Sequence, residues 1–388
     1  MNHKPKRKWS AKRIIFTVLG ILLLLILLAA ACVMIYVNHM LNKINRVDPE
    51  LEYTLSSSAA DDFLMDDPDL VTKVPGNTET HVKLEDLIFP TFVPGSTGGD
   101  TRPTDPHSTQ PNPGPGMPNE DLSDIYGAHL VNILLVGQDR RPGQGRQRSD
   151  SMILVSINKS NSTITLTSFM RDQYVQIPGY KPNKLNAAYA FGGMQLLTKT
   201  LKLNFGVEID GIVEVDFSGF ENIITLLGGV DVVLNQAEAA YLNTLHEIGM
   251  LSSAVVVGKN HLDAKQALTY ARLREIDTDY ARARRQRTVI MGLIEAYKEL
   301  PLDEMLDMMD EILPMVTTNL TNSQILGYAV DCFPVLASAK IQTLRIPVDG
   351  TFVGGLVEVR PGVYSWFQHS IDFTANREVL FDIFRRRD

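Results

Sequence analysis

Six arginines, Arg272, Arg274, Arg282, Arg284, Arg285 and Arg287, fall within 16 residues of a chain whose net charge is −8. Guanidinium forks gathered in an acidic protein suit recognition of phosphate, because each fork donates two parallel hydrogen bonds to an oxyanion. The competing reading is a solvated helix face balanced by Glu275, Asp277 and Asp279. Spacing favours a site. Asp279, Arg282 and Gln286 stand at i, i+3 and i+7 and share one helical face. Arg272 and Arg274 are two apart, so they share a side only where the chain is extended, as at the end of a helix over Asp263–Ala271.

A second set lies upstream. Asp139 follows the apolar run Val131–Val136, Arg148 and Asp150 precede a strand over Ser151–Ile157, and Arg171 and Asp172 close one over Thr163–Phe169. Strand ends converge on one edge of a sheet, and carboxylates beside guanidinium forks are what a magnesium–pyrophosphate site requires. Turn chemistry is the alternative for Asp139 and Asp150, and Asp216, just before a helical pattern, reads as an N-cap. No Walker loop, G-x-S-x-G elbow or H-E-x-x-H zinc motif occurs. The 8 histidines are scattered, and two cysteines, Cys32 and Cys332, exclude a disulfide scaffold or a cysteine-rich zinc site.

The elements that must hold these groups fill residues 122–388. Ser151–Ile157 and Thr163–Phe169 flank the polar stretch 158–162 and read as a hairpin. Helical spacing marks Ala187–Lys202, the stretch from Phe217 to Leu227, Asp263–Ala271, Asp279–Leu300, Leu302–Leu313 and Asn322–Leu336. Val207–Val215 and Ile341–Ile346 read as further strands. Strands interleaved with helices predict an α/β fold, a layered mixed sheet with flanking helices.

Upstream the composition changes. Residues 1–13 hold six bases and no acid, and Ile14–Val37 carries no charge. A helix over that run is ~36 Å long and crosses a bilayer, with the basic tail cytoplasmic and the remainder outside. A cleaved signal peptide competes because Ala29-Ala30-Ala31 offers small residues, but apolar sequence continuing to Val37 favours an uncleaved anchor. Residues 38 to about 55 read as a juxtamembrane helix. Pro90 to Pro118 then holds eight of the chain's 20 prolines, so the stretch to residue 121 reads as a disordered extracellular tether. The acidic body and its placement outside the cell argue against nucleic acid.

Eight blocks occur in order: N-I-L-L-V-G-Q-D-R-R (132–141), R-S-D-S-M (148–152), S-F-M-R-D (168–172), K-L-N-A-A-Y-A-F-G-G (184–193), V-D-F-S-G-F (215–220), L-G-G-V-D-V (227–232), A-L-T-Y-A-R-L-R (267–274) and D-Y-A-R-A-R-R-Q (279–286). Over residues 130–300 the chain resembles the LytR–CpsA–Psr family of Gram-positive bacteria. The resemblance implies a cell-membrane phosphotransferase that moves a glycopolymer, such as teichoic acid or capsule, from an undecaprenyl-pyrophosphate carrier onto peptidoglycan. It implies magnesium, or manganese, on Asp139 and Asp150. It places Arg148, Arg171, Lys184, Arg272, Arg274, Arg282 and Gln286 against the pyrophosphate, with Asp279 orienting the arginines. It also implies an apolar tunnel for the polyprenyl tail. Gln138 and Met170 depart from the family's usual Ser and Pro. A polyprenyl-pyrophosphate pyrophosphatase and a non-catalytic, lipid-binding membrane regulator are the alternative functions.

Overall fold

Alternate side chains of the strand Leu130–Gln138 (β1) serve two different cores: Leu134 and Val136 enter one, Leu135 the other. A strand that is apolar on both faces must be covered on both, and the architecture follows from that requirement. The computed structural model describes residues 34–47, 70–71, 82–87, 124–138, 146–336 and 338–387. Asp139, residues 14–33 of the expected membrane span and the Pro90–Pro118 stretch lie outside the described residues.

Ser149–Asn158 (β2) pairs antiparallel with β1, and Thr163–Phe169 (β3) antiparallel with β2, so the expected hairpin forms. Leu185–Phe205 (α1) crosses to Gly211–Asp216 (β4), which lies parallel to β1 on its other side. Phe217–Leu226 (α2) follows directly. Val230–Leu234 (β5) and Gly258–Leu262 (β6) make a separate antiparallel pair around Gln236–Glu247 (α3). Then come Ala264–Arg272 (α4), Asp279–Lys298 (α5), Leu302–Ile312 (α6) and Asn322–Leu336 (α7). Lys340–Ile346 (β7) joins β3 in parallel. Val353–Arg360 (β8) and Val363–His369 (β9) form an antiparallel hairpin, and Phe373–Phe384 (α8) ends the fold. Residues Thr317–Thr318 and Asn45–Arg46 extend the central sheet beyond β4, making seven strands of mixed direction.

One face of this sheet packs Leu134, Met152, Leu154 and Ile212 against α1 and α8. The other packs Ile153, Ile164 and Leu166 against Ile290 and Met291 of α5. A further core joins α2, α3, α4 and the β5–β6 pair. Helix starts obey local chemistry. Asp216 accepts from Gly219 N at 2.8 Å, and capping boxes form at Asn235/Glu238 and Asp263/Gln266.

Three expectations are corrected. The first helix is longer than Ala187–Lys202 but broken inside, where Gly193 takes φ 58°, a conformation that favours glycine. The strand expected from Val207 starts at Gly211, because Asp210 and Asn132 bind one another by side chain and backbone and hold residues 207–210 off the ladder. The juxtamembrane helix stops at residue 41 rather than about 55. Met40, Leu41 and Ile44 bury against Leu313, and Arg46 donates to Leu320 O and to the Asn322 side chain. Val82–Lys83 likewise pairs with β8. The folded body therefore includes segments well upstream of residue 122. Among the described residues no helix is long and apolar enough to cross a membrane.

Candidate active site

Leu273 ends α4 with φ −56° and ψ 124°, and its side chain is buried. One extended, inward-facing residue sends its two neighbours to the same side. Arg272 and Arg274 accordingly line one cavity of about 610 Å³, together with Asp150, Arg171, Arg282 and Gln286. Six of the ten residues expected at the site thus meet there, from β2, the end of β3, the end of α4 and the first turns of α5.

Ion pairs knit the cavity together. Arg171 Nη1 donates to Asp150 Oδ1 at 3.1 Å, and Arg274 Nη2 lies 3.6 Å from the same oxygen. Asp279 stands beneath three guanidinium groups, with Arg282 Nη2 at 2.8 Å, Arg171 Nε at 3.8 Å and Arg274 Nε at 3.9 Å. Its buried oxygens nevertheless accept no well-aligned hydrogen bond, so these contacts are chiefly Coulombic. Burial lowers the Arg282 guanidinium to about 10, against the opposing pull of Asp279, which leaves it charged at neutral pH. The Arg272 guanidinium lies 4.1 Å from the Phe217 ring centre, a cation–π contact that orients an otherwise exposed side chain.

Two other expected residues, Lys184 and Arg148, do not line this cavity. Lys184 is 1% exposed, with Nζ 2.9 Å from Asp172 Oδ1 and 5.2 Å from the Phe367 ring centre, so it stands behind the cavity wall. Arg148 Nη1 lies 3.5 Å from Asn186 Oδ1. Within the arginine cluster, Arg285 and Arg287 are structural. Arg285 is fully buried and donates to Glu238 Oε1 at 2.9 Å, to Leu273 O at 2.7 Å and to Asp277, while Arg287 donates to Ser168 Oγ at 2.6 Å. Sequence reading missed Glu275 and Tyr241 on the cavity rim. The Glu275 carboxyl is held below its usual range, first by the Arg274 N–H and also by Tyr241. Its only signal was its place beside Arg274.

A second cavity of about 470 Å³ is almost wholly apolar. Leu135, Val213, Phe220, Ile290 and Leu293 wall it between the sheet and α5, and it extends to Met309 and Ile312 of α6. It shares Gly137, Ser151, Phe217, Leu268, Arg272 and Gln286 with the arginine-lined cavity. A cationic chamber therefore opens onto a greasy one, which fits an anionic head on a long apolar tail.

The LytR_cpsA_psr family matches residues 114–370. The chain belongs to that family. The family match takes in every candidate residue discussed above, Asp139 included. Polyisoprenyl-teichoic acid–peptidoglycan teichoic acid transferase TagT of Bacillus subtilis (strain 168) is 32% identical over 221 residues, which are 55% of this chain and 66% of that protein. The transferase TagU of Bacillus anthracis (strain CDC 684 / NRRL 3495) is 33% identical over 224 residues, 57% of this chain and 70% of that one. The structure of TagT bound to LIIa-WTA superposes with a TM-score of 0.53 at 25% identity, covering 67% of this chain and 91% of that one. The chain thus spans about two thirds of the length of these curated family members.

Proposed function

We propose that this protein transfers a glycopolymer from a polyprenyl-pyrophosphate carrier onto peptidoglycan, outside the cell. The observation that carries the reading is the junction of the two cavities at Arg272 and Gln286. The arginine chamber takes the pyrophosphate and the apolar chamber the polyprenyl tail. The names of TagT and TagU as teichoic acid transferases support it.

In this reading Arg171, Arg272, Arg274 and Arg282 hold the pyrophosphate, with Asp150 and Asp279 fixing their directions before substrate arrives. A sugar hydroxyl of the acceptor attacks the phosphorus that bears the glycopolymer. The new O–P bond forms as the bridging P–O bond breaks, and polyprenyl phosphate leaves with the added charge. Guanidinium groups already aimed at that charge stabilise it without reorganising. The hydroxyl proton passes to a carboxylate of the cavity.

Among the described residues no three His, Cys, Asp or Glu side chains gather as a metal cluster. Asp150 offers hard carboxylate oxygen in a cavity whose described lining holds neither His nor Cys, which suits magnesium or manganese completed by phosphate oxygens and water. Asp150, with Asp139 as the second ligand, would hold it, and a bound ion would offset phosphate charge. The uncharged run Ile14–Val37 serves as the single membrane span, cytoplasmic at its N-terminal side.

The test is product analysis with a polyprenyl-pyrophosphate-linked oligosaccharide and soluble peptidoglycan strands. Oligosaccharide phosphate joined to the strand, together with polyprenyl phosphate, is expected. Release of oligosaccharide phosphate into water alone would replace the transferase by a pyrophosphatase.

A further inference from the structure

We propose that the outer face of the β8–β9 hairpin, with Tyr280 of α5, is a platform on which sugar rings of the acceptor glycan stack. The proposal rests on the transferase reading and gives its second substrate a place. Trp366 is 45% exposed, unusually open for a side chain of its size. A side chain on Gly354 would meet the Trp366 ring at 3.0 Å and Phe352 at 3.7 Å, so the two rings flank a bare glycine. Phe352 in turn meets Tyr280 edge-on, with ring centres 6.1 Å apart. Arg345 lies over Tyr280 at 4.1 Å and over Phe352 at 5.9 Å, which fixes both rings.

Tyr280 is the chain neighbour of Asp279. Gln368, two residues from Trp366 and on the same face of β9, donates through Nε2 to Tyr280 Oη at 3.0 Å. Its backbone N–H donates to Asp172 O at 2.9 Å, next to Arg171. Gln368 is 1% exposed and its Oε1 accepts no hydrogen bond, and Tyr280, having accepted, keeps its phenolic proton to donate. Flat apolar rings beside the Tyr280 hydroxyl, which the buried Gln368 amide holds in place, match a pyranose, which is apolar on its C–H faces and polar at its rim. They do not match a phosphate, which the neighbouring arginines already serve. A strand lying along Trp366, Phe352 and Tyr280 would arrive with its leading sugar at Asp279 and the arginines.

The chain has two tryptophans, Trp9 and Trp366, so a full-length Trp9→Phe protein in detergent reports from Trp366 alone. Titration with soluble glycan strands of alternating N-acetylglucosamine and N-acetylmuramic acid should shift its emission saturably, and polyprenyl phosphate should not. An unchanged spectrum at millimolar glycan overturns the platform whether or not the protein is a transferase. In the transfer assay Trp366→Ala should raise the acceptor KM about tenfold and leave the donor KM unchanged, with Trp366→Phe recovering most of the loss. Normal acceptor KM in Trp366→Ala removes the platform and leaves the transferase standing. Saturable binding without any transfer keeps the platform and removes the transferase.

Discussion

Asp150 Oδ1 accepts from Arg171 Nη1 at 3.1 Å, so the aspartate that lines the arginine chamber among the described residues is already engaged by a cation. A divalent ion at Asp150 must share that carboxylate with Arg171. Its affinity should be weak alone and rise sharply with a pyrophosphate present. Chelation should abolish transfer and magnesium restore it, and Asp150→Asn should lose most activity at any magnesium concentration. Asp216→Asn, which alters only a helix cap, should keep most. Transfer that survives chelation would sink the metal.

Arg272→Ala and Arg274→Ala should each lower kcat by about one to three orders of magnitude, since each removes a charge-assisted contact that strengthens as charge develops. Arg272→Lys should not recover the loss, because the stack over Phe217 suits a flat guanidinium. Single-turnover assays check this. A near-normal double mutant returns both arginines to the solvated surface.

Arg285→Ala should cost about 3 kcal/mol of stability, the range for breaking a buried pair, and Arg285→Lys should recover little of it. Glu238, 2% exposed, loses its best partner, and Leu273 O loses the donor that holds the turn between Arg272 and Arg274. Urea unfolding measures the cost. A loss below about 0.5 kcal/mol would mean that Arg284, 3.3 Å from the same carboxylate, suffices.

Leu268 lines both cavities at their junction. Leu268→Trp should narrow the passage and raise KM for a long-chain polyprenyl donor at least tenfold, while a donor with one or two prenyl units is little affected. Equal effects on both donors would place the tail elsewhere.

The helix-end geometry at Arg272 and Arg274, the Asp216 cap and the shared face of Asp279, Arg282 and Gln286 were legible because each depends on neighbours within about seven residues. The fates of Arg285 and Lys184 were not. Each is decided by a partner brought up by tertiary structure, Glu238 from α3 and the Phe367 ring from β9. The β8–β9 hairpin went unread for the same reason, since its weak alternation makes sense only against Tyr174 and residues 82–87. The apolar cavity needs the central sheet and helices α2, α4, α5 and α6 at once, and only the family resemblance announced it.

The attachment of Asn45–Arg46 to the central sheet has a consequence for where the enzyme can work. The Pro-rich stretch lies between Val82–Lys83, paired with β8, and β1, so it leaves and rejoins the same body. Its length sets no reach. The residues that follow the proposed membrane span are fixed directly to the domain beside Met309, which also walls the apolar cavity. A body of this size is on the order of 50 Å across. With Ile14–Val37 as the proposed span, the arginine chamber would be held at one altitude above the bilayer, and new polymer would be sewn only into the innermost layer of the wall.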